Sequence, residues 1–387
     1  MPQFNNSRYS IGAGLIYTMT GKTLENHFVN VVENRIDAFT TYPTQENVYD
    51  FGEHTIVLPG TINMHTHLEL SQLKKPFDVP LEGERRSFAS WVEALLQFRR
   101  SEEYNAASAI WNSLLRRDIL SESIAVADIM PLYFPLNEFH QNRPKQPRLF
   151  PFAELIGWNS GQVENQIAEV KLAALQNKRF YGLSPHAPHT VCPALLEFAV
   201  RQNVPVAMHL AESPEEMQLL ENHSGKLLDL IRKVDENYNP QEVLLSGSSP
   251  ACPMDYLRLL ADAPKAFIIH GNYLNDEELK FLAERRETMA IVYCPRSHQY
   301  FSYAPYPLKK MLDFGVNVLL GTDSIASSPD LSMLNEIHFV RQLHPEVPAE
   351  TIFSMATFNS AVALEIENEF GTLELGRPAR FSFYNFR

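Results

Sequence analysis

Two histidines follow an apolar run in the stretch Pro59-Gly-Thr-Ile-Asn-Met-His-Thr-His-Leu-Glu-Leu-Ser71. Residues 56–64 are apolar enough for a buried strand, and successive side chains of a strand alternate between its two faces. His65 and His67 should therefore point the same way at the end of this strand. Two imidazoles on one face provide half of a metal site. A His-x-His pair also occurs by chance, so the remainder of the chain must supply the other ligands.

Length and composition limit the class of protein. The chain has 387 residues, of which 45% are hydrophobic and 20% are charged. This is sufficient for a barrel of about 250 residues together with a small appended unit. The net charge is −13, and no cluster of lysine and arginine interrupts the acidic character. The composition therefore argues against nucleic acid as a partner and favours a small-molecule substrate.

Cysteine usage and the N-terminus indicate the compartment. The chain has three cysteines, Cys192, Cys252 and Cys294. An odd number of cysteines without the spacing of a metal site is typical of proteins in a reducing environment. The apolar run Ile11–Tyr17 is too short for a signal sequence or a membrane span. We therefore expect a cytoplasmic protein that does not act at a membrane.

The pattern of apolar residues changes near residue 58. Before it, short strands such as Phe28–Val32 alternate with turns and no helical period is present. After it, apolar runs alternate with helical segments, the first of which has Ser87 as its candidate N-cap. Counting residues 56–64 as the first run, the others are Ile124–Met130, Leu149–Ile156, Phe180–Pro185, Val204–His209, Ala266–His270, Ala290–Cys294 and Val316–Asp323.

Eight strands separated by helices predict a closed, parallel (β/α)₈ TIM barrel. The final strand-like segment, Ala379–Asn385, is too short to form a domain and should pair with the N-terminal strands. We therefore predict a small composite β-sandwich domain formed by residues 1–58 and 368–387. Residues 59–367 would form the catalytic barrel.

Histidines and acidic residues follow several of these strands. In a (β/α)₈ enzyme the catalytic groups lie at the carboxyl ends of the strands. The residues found at or just after those ends are His65, His67, His186, His209, Glu212, His270 and Asp323. A single histidine in such a position is more often a structural residue. Its recurrence at five of the eight strand ends favours one shared site.

The predicted ligands are His65, His67, His209 and Asp323. Three imidazoles and a carboxylate suit Zn²⁺, which we expect first, or Fe²⁺. Such an ion lowers the pKa of a bound water to about 7. A second ion would need a bridging carboxylate or a modified lysine, and Ser184-Pro-His-Ala-Pro188 offers no lysine. We therefore predict one divalent metal ion.

Three residues are candidates for catalysis. Glu212 follows His209 closely enough to move a proton between water and a leaving group or ring nitrogen. Its alternative role is that of a solvated carboxylate at a helix start, because Ser213-Pro-Glu-Glu216 favours a helix N-terminus. His270 would orient the attacking oxygen. Asp323 would accept the first proton of the water as well as contact the metal.

These residues lie in motifs that resemble the amidohydrolase superfamily, in its aminohydrolase branch of adenosine, S-adenosylhomocysteine and aminofutalosine deaminases. The motifs run through nearly the whole chain, in order, as Leu58–His67, Ser184–Pro188, His209–Glu212, Ile269–Leu274, Cys294–His298 and Gly321–Ser324, with a closing strand within Gly371–Tyr384. The resemblance implies a barrel with a composite β-domain, one divalent metal and hydrolytic deamination that releases ammonia. It also implies that His186 contacts the substrate and that the protein is a homodimer.

Within that branch, His67-Leu-Glu-Leu-Ser71 followed by Phe88-Ala-Ser-Trp91 is most similar to the aminofutalosine deaminases. That substrate carries a benzoate, so the resemblance implies an arginine in the pocket. The candidate substrate contacts are Arg85, Arg86, Arg296, Glu69 and Glu154, each of which could instead be a surface or structural residue. The sequence departs from the family at His298, where asparagine is common, and at Arg380, where aspartate is common. The first departure bears on substrate identity because its loop borders the pocket.

Three functions therefore remain open. The first is metal-dependent deamination of an amino-substituted purine nucleoside or related heterocycle, with aminofutalosine among the candidates. The second is hydrolysis of a cyclic amide or a chlorinated heterocycle by the same residues. The third is a non-catalytic, metal-stabilised binding protein, which predicts loss of a ligand or of Glu212, and none is lost.

Overall fold

The computed structural model describes residues 6–115, 123–134, 146–176, 180–245 and 250–385. The strands, in chain order, are β1 Tyr9–Tyr17, β2 Thr23–Val32, β3 Arg35–Thr40, β4 Val48–Asp50, β5 Thr55–Pro59, β6 Thr61–Thr66, β7 Leu81–Glu82, β8 Arg85–Arg86, β9 Ser123–Pro131, β10 Arg148–Leu155, β11 Gly182–Pro185, β12 Val206–Leu210, β13 Ala266–His270, β14 Met289–Tyr293, β15 Val318–Leu320 and β16 Phe381–Asn385.

Helices follow most of the barrel strands. They are α1 Phe88–Arg99, α2 Ala106–Leu115, α3 Ser160–Leu175, α4 Pro193–Val200, α5 Pro214–Asn222, α6 Lys226–Val234, α7 Pro240–Val243, α8 Pro253–Leu260, α9 Asp276–Ala283, α10 Pro295–Phe301, α11 Leu308–Phe314, α12 Met333–Leu343, α13 Ala349–Met355 and α14 Phe358–Ala363. Within the described ranges, none of these helices combines the length and apolar character needed to cross a membrane.

Both ends of the chain contribute to one six-stranded sheet. Its order is β16-β5-β1-β2-β3, and β4 pairs with β1. The closing strand β16 runs antiparallel to β5, with Phe381 opposite Pro59 and Asn385 opposite Thr55. The predicted pairing of the C-terminal strand with the N-terminal strands is therefore confirmed. The domain boundaries predicted at residues 58 and 368 stay predictions.

The second sheet contains eight strands in the order β6-β9-β10-β11-β12-β13-β14-β15, and all the adjacent pairs are parallel. Its two ends meet through the residues after β15. The amide nitrogens of Thr322 and Asp323 each donate to the carbonyl oxygen of His65 at 3.1 Å. The Asn63 Nδ2 also donates to Thr322 Oγ1 at 2.8 Å. The fold is a (β/α)₈ barrel with an N-terminal β-rich unit, as the sequence predicted.

Gly60 separates two strands that the sequence predicts as one. Residues 56–64 were expected to be continuous, but β5 belongs to the composite sheet and β6 begins the barrel. A Cβ atom on Gly60 would lie 2.3 Å from Ile124 Cγ2, so only glycine permits this approach to β9. The apolar run hides the break because both segments are fully buried.

Apolar residues fill the barrel below the site. One cluster joins Ile62 and Met64 of β6 to Phe152, Phe267 and residues of the other strands. A larger cluster packs the outer helices on the sheet. Helix α1 begins at its predicted N-cap, where the Ser87 side chain accepts a hydrogen bond from the Ser90 amide. The polar residues at the carboxyl ends of the strands therefore rest on a rigid support.

Candidate active site

Three buried histidines bring their ring nitrogens together at the carboxyl end of the barrel. The potential ligand atoms of His65, His67 and His209 all lie within 4.8 Å of one another. The Nε2 atoms of His67 and His209 are only 3.3 Å apart. The Nε2 atom of His65 is buried and has no hydrogen-bond partner. His65 and His67 lie on the same side of the chain, as the alternation of strand residues predicts.

This arrangement fits a divalent metal ion. The Nδ1 of His209 lies 3.0 Å from the carbonyl oxygen of His186. A hydrogen on Nδ1 donated to this carbonyl leaves the Nε2 lone pair free for a metal. The unpartnered Nε2 of His65 and the two Nε2 atoms in close contact fit a set of imidazoles that share one cation. Burial lowers the pKa of His67 and His209 well below the usual range, which keeps both imidazoles neutral.

Asp323 places a carboxylate beside this cluster. Its Oδ1 lies 3.6 Å from His65 Nε2. Its Oδ2 accepts hydrogen bonds from the hydroxyls of Ser297, at 2.7 Å, and Ser327, at 2.8 Å. The two serines fix the orientation of the carboxylate so that one oxygen faces the histidines. Neither serine was predicted, although both follow strands whose ends carry predicted residues.

Glu212 and His270 form a second pair beside the histidines. Glu212 Oε1 lies 3.3 Å from His270 Nε2. Burial raises the pKa of Glu212 well above its usual range, and the negative charges of Asp323 and Glu216 add to this effect. Burial also lowers the pKa of His270 to about 3, so this imidazole is neutral. A carboxyl group that readily holds a proton, next to a neutral imidazole, is suited to general acid–base chemistry.

Glu216 and Asn272 hold the Glu212 loop in place, and the sequence did not reveal this role. The two carboxylate oxygens of Glu216 accept hydrogen bonds from the backbone amides of Ala211 and Glu212, each at 2.9 Å. Asn272 Nδ2 donates to the carbonyl oxygen of Glu212 at 2.7 Å. The motif Ser213-Pro-Glu-Glu216 was predicted as a helix start, and Ser213 does cap α5.

Backbone strain coincides with the strand ends that carry the site. Ala211, His270 and Asp323 have φ values of 54°, 71° and 57°. Residues other than glycine rarely adopt this left-handed region, which costs roughly 1–3 kcal/mol per residue. Each strained residue turns the chain sharply where a parallel strand ends. The side chains of His270 and Asp323 thereby point across the mouth of the barrel towards the histidine cluster.

One cavity connects these groups. The predicted residues that line it are His67, His186, His209, Glu212, His270 and Asp323. His186 Nδ1 lies 2.9 Å from the hydroxyl oxygen of Thr190. The structure thus brings together six residues that are separated by as many as 256 positions in the sequence, from 67 to 323.

Glu69 and Glu154 are not among the residues that line the cavity. Arg99 forms a short ion pair with Glu69 and lies 3.8 Å from Glu154. The hydroxyl of Tyr104 donates a short hydrogen bond to Glu69. Burial raises the pKa of Glu154 to about 7. The two glutamates thus surround an arginine that does line the cavity, and their predicted contact with substrate stays a prediction.

Arg85, Arg86 and Arg296 lie outside the cavity lining. Arg85 is exposed on the β7–β8 hairpin. Arg86 donates to the carbonyl oxygens of Val79 and Tyr300. The guanidinium of Arg296 contacts Glu336 and Asp330, each at 2.6 Å. The structure does not bring these predicted substrate contacts to the site.

His298 also lies outside the lining. It is buried in α10, where its ring packs edge-on against Tyr303 and Tyr306. Burial lowers its pKa to about 4.

Arg99 and His189 also line the cavity, and neither was among the residues predicted from the sequence. The helical spacing of α1 could have identified Arg99 as a residue on the same face as two apolar residues. Trp91, Leu95 and Arg99 follow at intervals of four on one face of α1, so the first two predict where the third lies.

The C-terminal part of the chain, residues 159–386, matches the profile of the Amidohydrolase family. A 5-methylthioadenosine/S-adenosylhomocysteine deaminase from Pyrococcus furiosus is 28% identical over 365 residues, which span 88% of this chain and 77% of the relative. The family is metal-dependent, in agreement with the histidine cluster.

Two solved structures share the fold. The aminofutalosine deaminase of Helicobacter pylori, in complex with methylthio-coformycin, aligns with a TM-score of 0.76 and 22% identity over 98% of this chain and 92% of its own. An adenosine deaminase from Xanthomonas campestris with bound zinc aligns with a TM-score of 0.67 and 20% identity over 96% of this chain and 83% of its own. Together, the fold, the histidine cluster and the matched profile show that this chain belongs to the amidohydrolase family and is a hydrolase that acts on C–N bonds.

Proposed function

We propose that this protein is a metal-dependent deaminase that converts the amino group of an adenosine-type nucleoside into an oxo group. The observation that carries the proposal is the position of Glu212. Its carboxyl group lies 3.3 Å from His270 and lines the same cavity as His67, His209 and Asp323. A carboxyl group with a raised pKa and a cluster of metal-type ligands on one small cavity suit the hydrolysis of a C–N bond on a heterocycle.

The residues that would hold the ion are His65, His67, His209 and Asp323. When bound, a divalent ion supplies a Lewis acid that lowers the pKa of a water molecule to about 7. Zinc suits three imidazoles and a carboxylate, and the related adenosine deaminase from Xanthomonas campestris carries it. We therefore propose Zn²⁺ as the ion, with Fe²⁺ as the alternative.

The side chains divide the proton transfers between them. Asp323 accepts a proton from the attacking water at Oδ1, the oxygen that faces His65. Glu212 donates its proton to the ring nitrogen next to the amino-bearing carbon. His270 holds the incoming oxygen, and the neutral imidazole of His186 contacts the sugar or ring. A C–O bond forms and the C–N bond breaks. The departing amino group takes the proton held by Asp323, and Glu212 recovers a proton from the added hydroxyl, so the substrate and one water yield the oxo product and ammonia.

The relatives favour this reaction over the alternatives. The relative from Pyrococcus furiosus is a deaminase of 5-methylthioadenosine and S-adenosylhomocysteine, and two of the solved neighbours are deaminases of aminofutalosine and adenosine. Triazine hydrolases and an atrazine chlorohydrolase share the fold at 18–19% identity, a likeness that shows the fold alone. Hydrolysis of a cyclic amide, displacement of chloride and a purely binding role are not favoured. The free cysteines suit a cytoplasmic location. A homodimer stays an expectation.

Ammonia release tests the proposal. The metal-replete protein would be assayed with adenosine, 5′-methylthioadenosine, S-adenosylhomocysteine, aminofutalosine, guanine and cytosine. We expect ammonia from at least one adenosine-type nucleoside and none from cytosine. Absence of ammonia from every nucleoside, with the metal shown to be bound, would contradict the proposed reaction.

A further inference from the structure

We infer that the part of the cavity remote from the metal site selects nucleosides with an uncharged, apolar substituent on C5′ and discriminates against a zwitterionic one. This inference rests on the proposed function. It goes further because the Pyrococcus furiosus relative is a deaminase of both a thioether nucleoside and an amino-acid-bearing nucleoside.

The position of the reaction decides the orientation of the substrate. The amino-bearing carbon must lie beside Glu212 and the histidine cluster. In an adenosine-type nucleoside, C5′ and the amino group lie at opposite ends of the molecule. The C5′ substituent must therefore extend away from the reacting carbon, and we place it between helices α1 and α6, which contact each other and both form walls of the cavity.

Those walls are apolar. Helix α1 contributes Phe88, Trp91, Val92, Leu95 and Leu96 to the lining. Helix α6 contributes Leu227, Leu230, Ile231 and Val234 on the other side. The ring of Phe88 stacks on Trp91 with 5.9 Å between the ring centroids, which makes a rigid aromatic surface. Burying a methylthio group here makes the free energy of binding more favourable, whereas a charged group would lose its hydration without compensation.

The part of the cavity lining that the described residues form offers little to a carboxylate on the substituent. Among the lining residues in the described part of the chain, Arg99 is the only arginine or lysine. Its guanidinium already forms an ion pair with Glu69 and lies 3.8 Å from Glu154. A substrate carboxylate approaching Arg99 would therefore meet two glutamates that compete for the same cation. Such like-charge proximity opposes binding.

The cavity also offers little to an ammonium group. The carboxylates of the lining in the described residues, Glu212 and Asp323, belong to the reaction site rather than to the α1–α6 walls. The backbone amide of Phe88 already donates to Glu215 Oε1 at 3.0 Å, and the ring of Phe88 lies 6.4 Å, centroid to centroid, from the ring of His189. Its Nδ1 is buried without a hydrogen-bond partner, so it can form one hydrogen bond with an uncharged substituent. One neutral imidazole does not compensate the desolvation of a zwitterion.

The test compares nucleosides that share the adenosine core. We would measure kcat/KM of the metal-replete protein for adenosine, 5′-methylthioadenosine, a 5′-propylthio analogue and S-adenosylhomocysteine. We expect the two alkyl thioethers, 5′-methylthioadenosine and the 5′-propylthio analogue, to exceed adenosine by at least about tenfold, the lower end of what an apolar pocket gains from one added group. S-Adenosylhomocysteine should fall about 100-fold or more below 5′-methylthioadenosine, because its charged groups lie unpaired. Equal values for these two, or a preference for adenosine, would overturn the inference.

A charge introduced into the wall provides an independent measurement. Val234 is 46% exposed, so Val234→Arg should fold, and its guanidinium would face the C5′ substituent. We expect the preference for 5′-methylthioadenosine over S-adenosylhomocysteine to fall at least about tenfold, the effect of one charge pair of about 1.4 kcal/mol. Leu343→Arg, at a 43% exposed position of α12 outside the lining, is the matched control and should leave the ratio unchanged.

The outcomes separate the two proposals. Failure of the wild-type protein to release ammonia from any of these nucleosides contradicts the proposed function. Release of ammonia from all of them with the same kcat/KM contradicts only the inference about the C5′ substituent. An unchanged ratio in Val234→Arg would show that α6 does not contact the substituent, and would also overturn the inference.

Discussion

Glu212 combines a buried carboxyl group with a backbone that neighbouring side chains hold rigidly. Glu216 binds its amide and Asn272 binds its carbonyl oxygen, so the carboxyl group has a fixed approach to His270. The role proposed for Glu212 therefore depends on its ability to carry a proton. A substitution that keeps the shape and removes the proton isolates that property.

Glu212→Gln should reduce kcat by a factor of about 10²–10⁴, the usual contribution of a proton-transfer group. The metal content should not change, because Glu212 is outside the predicted ligand set. Steady-state kinetics and elemental analysis of the same preparation measure both quantities. Glu221→Gln, an exposed position of α5, is the control and should keep full activity. Full activity in Glu212→Gln would refute the proposed proton transfer.

His67→Ala should lose the metal and the activity together. His67 Nε2 lies 3.3 Å from His209 Nε2, and alanine leaves an incomplete set of ligands at that point. Metal content per chain and ammonia release are the measurements. His54→Ala changes an exposed histidine before β5 and should alter neither. A His67→Ala protein that retains a full equivalent of metal would show that the ligand set is different.

At the scale of elements, the barrel depends on contacts between neighbouring loops and helices. Arg296 at the start of α10 connects to Glu336 in α12 and to Asp330 before it. The Glu336 side chain is fully buried, and the backbone amide of Arg296 also donates to it at 3.1 Å. Arg296 was predicted to contact substrate, but its position indicates that it stabilises this helix pair.

Arg296→Met should lower the free energy of unfolding by about 3–5 kcal/mol, because it leaves a buried carboxylate without its partner. The KM for the nucleoside should stay within about twofold in the folded fraction, since Arg296 does not line the cavity. Urea denaturation and steady-state kinetics measure the two effects. The double variant Arg296→Met/Glu336→Leu should recover much of the stability. A large rise in KM at unchanged stability would restore the substrate-binding role.

Gly60 marks the passage of the chain from the composite sheet into the barrel. Gly60→Ala should destabilise the protein by roughly 1–3 kcal/mol, the usual cost of overpacking. Its new Cβ would lie 2.3 Å from Ile124 Cγ2. Because Ile124→Ala removes the clashing atom, the double variant should be more stable than the sum of the single effects predicts. Additive losses of stability in the denaturation curves would show that this contact does not limit the approach of β6 to β9.

At the scale of the whole molecule, the metal would connect distant parts of the barrel. Its predicted ligands come from β6 and the residue after it, from β12 and from the loop after β15, which are separated in sequence and brought together by the closed sheet. A ligand that binds only the folded state stabilises that state, by about 2.7 kcal/mol when its concentration is 100 times Kd. The metal should therefore contribute to global stability as well as to catalysis.

Removal of the metal with a chelator should lower the Tm of the wild-type protein by several degrees, and added Zn²⁺ should restore it. The Tm of His67→Ala should respond little to either treatment, because its site is incomplete. Differential scanning calorimetry with and without chelator measures the difference. An equal shift in both proteins would indicate that the chelator acts elsewhere.

Local patterns in the sequence were sufficient for the barrel and for the residues at its strand ends. Period-two and helical spacing are properties of a few neighbouring residues, so the βα repeat and the Ser87 cap were predicted correctly. The same local reasoning placed His65 and His67 on one face. It also predicted the pairing of the last strand with the first ones, because a lone apolar strand needs a partner.

Only the tertiary structure decided which residues meet across the barrel. The break at Gly60 depends on Ile124, which lies 64 positions away and is invisible in an unbroken apolar run. Arg296 and Arg99 look equivalent in sequence. Arg296 forms an ion pair with Glu336 of α12, whereas Arg99 lines the cavity. The apolar walls of α1 and α6 likewise face one another only after the barrel has closed. Chemistry at a strand end is encoded locally, whereas the shape and charge of the pocket depend on packing between segments that are far apart in the chain.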